Sequence, residues 1–266
     1  MTGTDELMVA TSDRIGVLTL NRPHKRHALS PQLLVDIHLT LTRWAEEDFL
    51  RAVIIKGGDG PAFSSGYDVT AIPTEVSPEA AEILNKENPL TLCLSSVKHF
   101  PYPVIAMMNG YAFGAGLNLA VCCDLRIAAD TIKVGMPPAR LGLVYHPEGL
   151  KQFVQVLGFP VTREIFFTAR TYDSEEALGA GLVNHLVPTE NLEKVAFDYA
   201  RQIVANAPQA LKGMKEILGR LERATAFSSQ DIARAETLIQ KSFASKDLVE
   251  GQTAFLEKRL PLFTGE

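Results

Sequence analysis

The chain predicts an α/β fold in which strand-and-helix units wind into one core, followed by an all-helical C-terminal region. Three observations carry this prediction. Short apolar runs bounded by turn residues recur at 15–20, 52–56, 104–107, 125–134 and 182–187, the pattern of strands in a buried sheet. Helical spacing of apolar residues fills the stretches between them, most clearly at Leu33, Leu34, Ile37, Leu41 and Trp44. Beyond Ala207-Pro208, residues 208–223, 228–245 and 247–258 all read as helix.

Residues 7–11 and 15–20 form a hairpin around Ser12-Asp13-Arg14, which ends at Asn21-Arg22-Pro23. A polar, basic loop follows, His24-Lys25-Arg26-His27-Ala28-Leu29. Ser30-Pro31 then supplies an N-cap and a first-turn proline for a helix over 31–48. After the strand at 52–56, Gly57-Gly58-Asp59-Gly60-Pro61 leads into a glycine turn, Ala62-Phe63-Ser64-Ser65-Gly66-Tyr67-Asp68, and Ile72-Pro73 ends the segment. Residues 78–100 read as helix, broken or mobile at Asn88-Pro89.

Pro101 and Pro103 deliver the strand at 104–107. That strand runs into Met108-Asn109-Gly110-Tyr111-Ala112-Phe113-Gly114-Ala115-Gly116, and the turn opens a helix. The strand-like run at 125–134 ends at Met136-Pro137-Pro138. Helices are predicted at 147–157, 160–168 and 174–180, the last closed by Gly179 and Gly181. A strand at 182–187 and a helix at 190–206 complete the alternation, and no long linker interrupts it.

With 266 residues and 46% apolar composition, the chain is long enough for a substantial packed interior. A net charge of −5 with interspersed signs argues against a nucleic-acid footprint or a basic membrane-binding face. Cys93, Cys122 and Cys123 lack metal-ligand spacing and are expected to be reduced and buried. The N-terminus is acidic, and no run reaches membrane-spanning length, so a cytoplasmic location is the expectation.

Gly114-Ala115-Gly116 at a strand-to-helix junction leaves backbone N–H groups bare at a helix N-terminus, which suits an oxyanion. Small residues there also simply let a helix pack close to a sheet. The second glycine turn, at 62–68, adds a second donor and makes an oxyanion hole plausible.

Phe63-Ser64-Ser65-Gly66-Tyr67-Asp68, Asn109 to Gly116, Cys123-Asp124-Leu125-Arg126-Ile127-Ala128 and Leu141-Gly142-Leu143-Val144 resemble, in order and spacing, the signatures of the crotonase (enoyl-CoA hydratase/isomerase) superfamily. The resemblance runs from about residue 8 to the C-terminus. It implies a spiral of ββα units with a C-terminal helical trimerisation region, divided as a core over 1–206 and a helical region over 207–266. It further implies a homotrimer or dimer of trimers acting on an acyl-CoA. Coenzyme A enters as part of the substrate, with no metal and no other cofactor.

By the same resemblance, the amides of Tyr67 and Ala115 grip the thioester oxygen. Coenzyme A contacts are implied at Lys25, Arg26, Ala28, Ser65, Gly66, Asp68, Gly114, Phe255 and Lys258. Lys25 and Arg26 border its adenine and phosphates, and the closing helix offers a base to a neighbouring subunit's coenzyme. Asp68 reads as a turn-stabilising acceptor rather than a catalyst. A lysine often found in the family two residues later is replaced by Thr70.

The family's hydratases carry glutamates where this chain has Asn118 and Pro138. Adding water across an enoyl bond needs a base and an acid, and neither asparagine nor proline trades protons. Decarboxylation of a malonyl-type thioester needs no base, because departing CO₂ leaves the electron pair of the enolate. The chain looks most like the methylmalonyl-CoA decarboxylase branch of the family, including Leu141 to Tyr145, Ile165 to Ala169 and Glu250 to Arg259. It departs from that branch at Tyr67, where a histidine is usual, and at Asn118, where a glutamate is.

Tyr145 matches the branch's active-site tyrosine and suits orientation of the carboxylate or relay of a proton. It also fits a half-buried residue closing a loop. His146 is a candidate polar or protonating group but reads first as an exposed loop histidine, and Glu148 is the nearest candidate carboxylate or else acidic surface at a helix start. Three readings follow: a decarboxylating acyl-CoA lyase; a hydratase, isomerase or hydrolase with relocated groups at His146 or Glu148; and a non-catalytic binding protein of the same fold.

Overall fold

The computed structural model describes residues 5–68, 78–84, 86–223, 229–262 and 264; Thr70 and Ile72-Pro73 lie outside them. The chain forms two compact units, one of Met1–Val134 with Tyr172–Leu221 and the other of Gly135–Thr171 with Glu222–Glu266. Packing therefore groups the chain differently from a cut at residue 206.

The first unit opens with the predicted hairpin, β1 (Leu7–Ser12) antiparallel to β2 (Ile15–Leu20). Its loop is shorter than the sequence suggests. Asp13 and Arg14 both adopt positive φ, 50° and 63°, so two residues turn the chain and Ser12 joins the strand. From β2 the sheet continues in parallel through β3 (Ala52–Gly57), β5 (Val104–Met108), β7 (Leu125–Ala129) and β10 (His185–Val187).

A shorter strand follows soon after each of three of these: β4 (Ala62–Ser64), β6 (Tyr111–Phe113) and β8 (Val134–Gly135). With β9 (Thr171–Tyr172) they form a second sheet in the order β4-β6-β8-β9. The chain leaves the first unit at Val134 and returns at Tyr172. The repeat is thus strand, short strand, helix, as in β5, β6 and α4 (Ala115–Cys122). Strands of two or three residues show no alternation, so the sequence reads them as turns or as extensions of their neighbours.

Helix α1 (Pro31–Glu47) starts as expected, with the Ser30 side chain accepting the Leu33 amide and Pro31 in the first turn. Its Trp44 fits over Gly16 of β2, where a Cβ would lie 2.6 Å from the indole ring. The helical stretch from 78 is two helices, α2 (Pro78–Leu84) and α3 (Pro89–His99). The Asn88 side chain caps the second by accepting the amides of Leu90 and Thr91.

Helix α6 (Ser174–Gly179) is closed by the Leu182 amide donating back to the Ala177 carbonyl, with Gly181 at φ 76°. That closure takes Leu182 out of the predicted strand and shortens β10. Helix α7 (Leu192–Val204) then covers β3, β5 and β7.

Cys123-Asp124-Leu125-Arg126 is a structural splice. The Asp124 carboxylate accepts the Val104 amide at 2.7 Å and holds the Lys215 ammonium of α8 (Pro208–Arg223). Buried Arg126 donates to the Cys123 carbonyl at 2.9 Å, and its amide donates to Asn184. None of the three cysteines forms a disulfide, all are buried, and burial pushes the thiols of Cys93 and Cys123 up, away from reactivity.

In the second unit, a single-turn helix at Pro138–Leu141 precedes α5 (Pro147–Thr168). Gly158, with φ 68° and ψ 172°, and Pro160 divide α5 where the sequence expects two helices. Helices α9 (Ser229–Phe243) and α10 (Lys246–Glu257) follow. Gly142 has φ 68°, and its Cβ would lie 2.8 Å from the Asp247 backbone, while one on Gly251 would lie 2.8 Å from Leu141. Two glycines thus let α10 and the Pro138–Leu141 turn meet backbone to backbone. Among the described residues, no helix is long and apolar enough to cross a membrane.

Replacing Trp44 by alanine empties a fully packed site over Gly16. We expect the folded state to lose about 3–5 kcal/mol in denaturant titrations, with the slope unchanged.

Candidate active site

The first glycine turn is fixed by the basic loop before α1. Ser65 donates its amide to the Arg26 carbonyl at 3.0 Å and its hydroxyl to that of Lys25 at 3.1 Å. The Ser64 hydroxyl donates to the His27 carbonyl at 2.8 Å and accepts the Gly66 amide at 3.3 Å. Leu29 and Tyr67 form a parallel bridge, in which the Leu29 amide donates to Gly66 and the Asp68 amide to Leu29. This pattern turns the intervening Tyr67 amide the other way, and among the described residues it donates to no acceptor.

Asp68, read from sequence as a coenzyme contact that steadies the turn, is almost fully buried and paired with Arg22 at 2.8 Å. The same guanidinium donates to the Ala28 carbonyl at 2.7 Å and meets Glu6 at 2.9 Å, and Glu6 in turn accepts the Ser30 hydroxyl. The pair spans 46 residues, and no local motif marks it, which is why Arg22 and Glu6 escape a sequence reading. The Asp68 carboxylate is an anchor for the turn.

The second turn places Gly114, with φ 52°, as the N-cap of α4, and Ala115 as its first residue. Among the described residues the Ala115 amide also donates to nothing. A Cβ on Gly66 would lie 2.9 Å from the Phe113 carbonyl oxygen and 3.6 Å from the Ala115 nitrogen. One on Gly116 would lie 2.6 Å from the Ser64 side chain. The two turns therefore lie side by side, each presenting an unengaged amide, one at a helix N-terminus. Such a pair can hold an oxyanion.

Lys25, Arg26, Ala28, Ser65, Gly66, Tyr67, Asp68, Gly114 and Ala115 are gathered here, with Lys25 and Arg26 at the surface and Ala28 buried. Asn118 lies one turn along α4, fully buried, its amide group 3.7 Å from the Cys122 sulfur. Burial and the neighbouring Asp68 carboxylate raise the Tyr67 phenol above its ordinary value, so it stays neutral at physiological pH.

The other candidates belong to the second unit. Tyr145 is half-buried against Phe166, with ring centroids 5.4 Å apart, and Phe166 meets Phe153 edge-on. His146 is exposed and caps α5, accepting the Glu148 amide at 3.3 Å, and Glu148 is exposed beside it. Pro138 is buried. On α10, Phe255 is 71% exposed, and Lys258 is exposed at the helix end with φ 55°. Among the described residues Lys258 has no ion pair, whereas neighbouring Arg259 is held by Glu250 and Glu257.

A family model described as enoyl-CoA hydratase/isomerase matches residues 10–266. The chain belongs to this family. Methylmalonyl-CoA decarboxylase of Escherichia coli is 31% identical over 258 residues, 97% of each chain. A probable enoyl-CoA hydratase of Mycobacterium tuberculosis is also 31% identical, over 262 residues and 98% of each chain. The crystal structure of methylmalonyl-CoA decarboxylase complexed with 2S-carboxypropyl-CoA has a TM-score of 0.89 to this chain at 30% identity, covering 100% of both. The crotonase fold follows, with its ββα spiral and C-terminal helices.

Since a Cβ at position 116 collides with Ser64, Gly116→Ala forces the two turns apart. We expect stability to fall by about 1–3 kcal/mol, as overpacking costs, and turnover of any thioester substrate to fall about 100-fold as one donor is displaced. Calorimetry and steady-state kinetics on one preparation measure both.

Proposed function

We propose that the protein is an acyl-CoA lyase that decarboxylates a short malonyl-type thioester. The observation that carries this reading is the pair of unengaged amides at Tyr67 and Ala115, with a neutral, buried Asn118 and a proline at 138 where family hydratases carry carboxylates. The similarity to methylmalonyl-CoA decarboxylase along the whole chain supports it.

The thioester oxygen sits between the two amides. The bond from Cα to the carboxylate breaks, CO₂ leaves, and the electron pair forms an enolate whose oxygen takes the charge. Two fixed amides stabilise that charge better than the neutral carbonyl, and each such donor is worth roughly 100- to 1000-fold in rate. A proton then reaches Cα from water or from a neutral donor, for which Tyr145 and His146 are the proposed sources. No general base is needed at any step.

Lys25, Arg26, Ala28, Ser65 and Gly114 line the coenzyme's path in this reading, with Phe255 and Lys258 of α10 reaching the coenzyme of a neighbouring subunit. No metal or further cofactor takes part. The exposed stripe Met214, Ile217, Leu218 and Leu221 on α8, each 56–67% accessible, supports assembly into a trimer or dimer of trimers. A second reading, a hydratase, isomerase or hydrolase working through His146 and Glu148, is supported by the equal similarity to a probable enoyl-CoA hydratase.

Mass spectrometry after incubation with methylmalonyl-CoA, ethylmalonyl-CoA and crotonyl-CoA separates these readings. We expect CO₂ loss from a malonyl thioester, retained in His146→Ala/Glu148→Gln at no worse than about tenfold lower rate, since no general base is needed and water and Tyr145 remain as proton sources. Hydrated crotonyl-CoA or free coenzyme A, abolished in that double variant, favours the second reading. No turnover of any of the three favours a non-catalytic binding protein.

A further inference from the structure

His27 is fully buried in the loop that holds the first turn. Its Nδ1 accepts the Arg22 amide at 3.1 Å, and its Nε2 lies 3.1 Å from the Asp59 carbonyl. Because Nδ1 acts as an acceptor, the ring is neutral and its one N–H is on Nε2, donating to Asp59. The ring thereby ties the start of the basic loop to the 57–61 loop. The backbone it holds is strained, since Arg26 and His27 are consecutive non-glycine residues at φ 51° and 55°.

That strained backbone aims three successive carbonyls at the oxyanion turn. Those of Lys25 and Arg26 take the hydroxyl and amide of Ser65, and that of His27 takes the Ser64 hydroxyl. Ser64 in turn holds the Gly66 amide and is the surface against which Gly116 packs. The residue that carries the ring is thus connected, through its main-chain carbonyl and Ser64, to both turns.

We propose that His27 is a positioning residue for the site: its neutral imidazole clamps the 22–29 loop in the strained form that fixes the Tyr67 amide, and protonation of the ring releases that clamp. This rests on the reading of the Tyr67 turn as the thioester-binding donor. An imidazolium carries N–H on both nitrogens, so Nδ1–H is driven against the Arg22 N–H and the bond between them is lost.

The charged groups around the ring fit this. Asp59 is the nearest acid. The Arg22 side chain is turned away onto Asp68 and Glu6, and Lys25 and Arg26 of the same loop lie at the surface. Burial lowers the His27 pKa, and the hydrogen bond and charge at Asp59 only partly offset this. A depressed histidine pKa means that its stabilisation is fully present above the unfolded value of about 6.5 and is lost as pH falls through the folded value.

The test measures binding of propionyl-CoA, a thioester with no carboxylate to lose, by calorimetry from about pH 7.5 to about pH 5, where histidine charges. His27→Asn is the conservative variant, whose side-chain oxygen can accept the Arg22 amide and does not titrate; His27→Ala removes the clamp. We expect wild-type affinity to fall about tenfold more across this range than that of His27→Asn, with His27→Ala about tenfold weaker throughout. Parallel pH curves for wild type and His27→Asn would overturn the proposal, as would wild-type affinity in His27→Ala. If the clamp behaves as expected while methylmalonyl-CoA and ethylmalonyl-CoA remain intact, the lyase reading fails and the role of His27 stands.

Discussion

The active-site region depends on how closely two backbone turns approach. Each turn presents one amide, and their separation is set by contacts that leave no room for a Cβ on Gly66 or Gly116. A glycine here is a spacing device: it lets backbone lie on backbone, as Gly142 and Gly251 do elsewhere in the chain. Much else near the turns serves that spacing. Arg22 fastens Asp68, Ser64 bridges loop and turn, and β4 pairs with β6 so that both turns leave the same small sheet.

A site built from amides differs from one built from carboxylates in what can be altered without loss. Amides neither titrate nor change rotamer, so the charge-stabilising part of the scaffold persists when surrounding side chains change. In the lyase reading proposed above, the side chain at position 118 bears on which reacting partner such a scaffold serves. Asn118 is fully buried, so in that reading it would give a departing carboxylate a poorly solvated setting, which favours its conversion into uncharged CO₂.

Much of the architecture is legible in the sequence, because buried parallel strands and amphipathic helices leave periodic signals of five or more residues. The parallel strands from β2 to β7, the cap at Ser30 and the break at Asn88-Pro89 all follow from local patterns. Strands β4, β6, β8 and β9 do not, since two or three residues carry no period, and the Asp13-Arg14 turn does without glycine. At the site, the glycine turns announce themselves. Arg22, Glu6 and the ring of His27 do not, because each acts through partners distant in sequence or through main-chain atoms of no particular residue type.

The contact of Leu141 and Gly142 with α10 has a temporal side. Its two halves are separated by more than a hundred residues, and the second unit is assembled from a middle stretch and the last stretch of the chain. While the protein is being made, the segment from Gly135 to Thr171 emerges well before α10 exists to pack against it. The Pro138–Leu141 turn and the start of α5, which carries Tyr145 and His146 beside it, must wait for the final helices before gaining their backbone support. The first unit is complete by Leu221, so synthesis delivers the two amides before the last helices of the second unit exist.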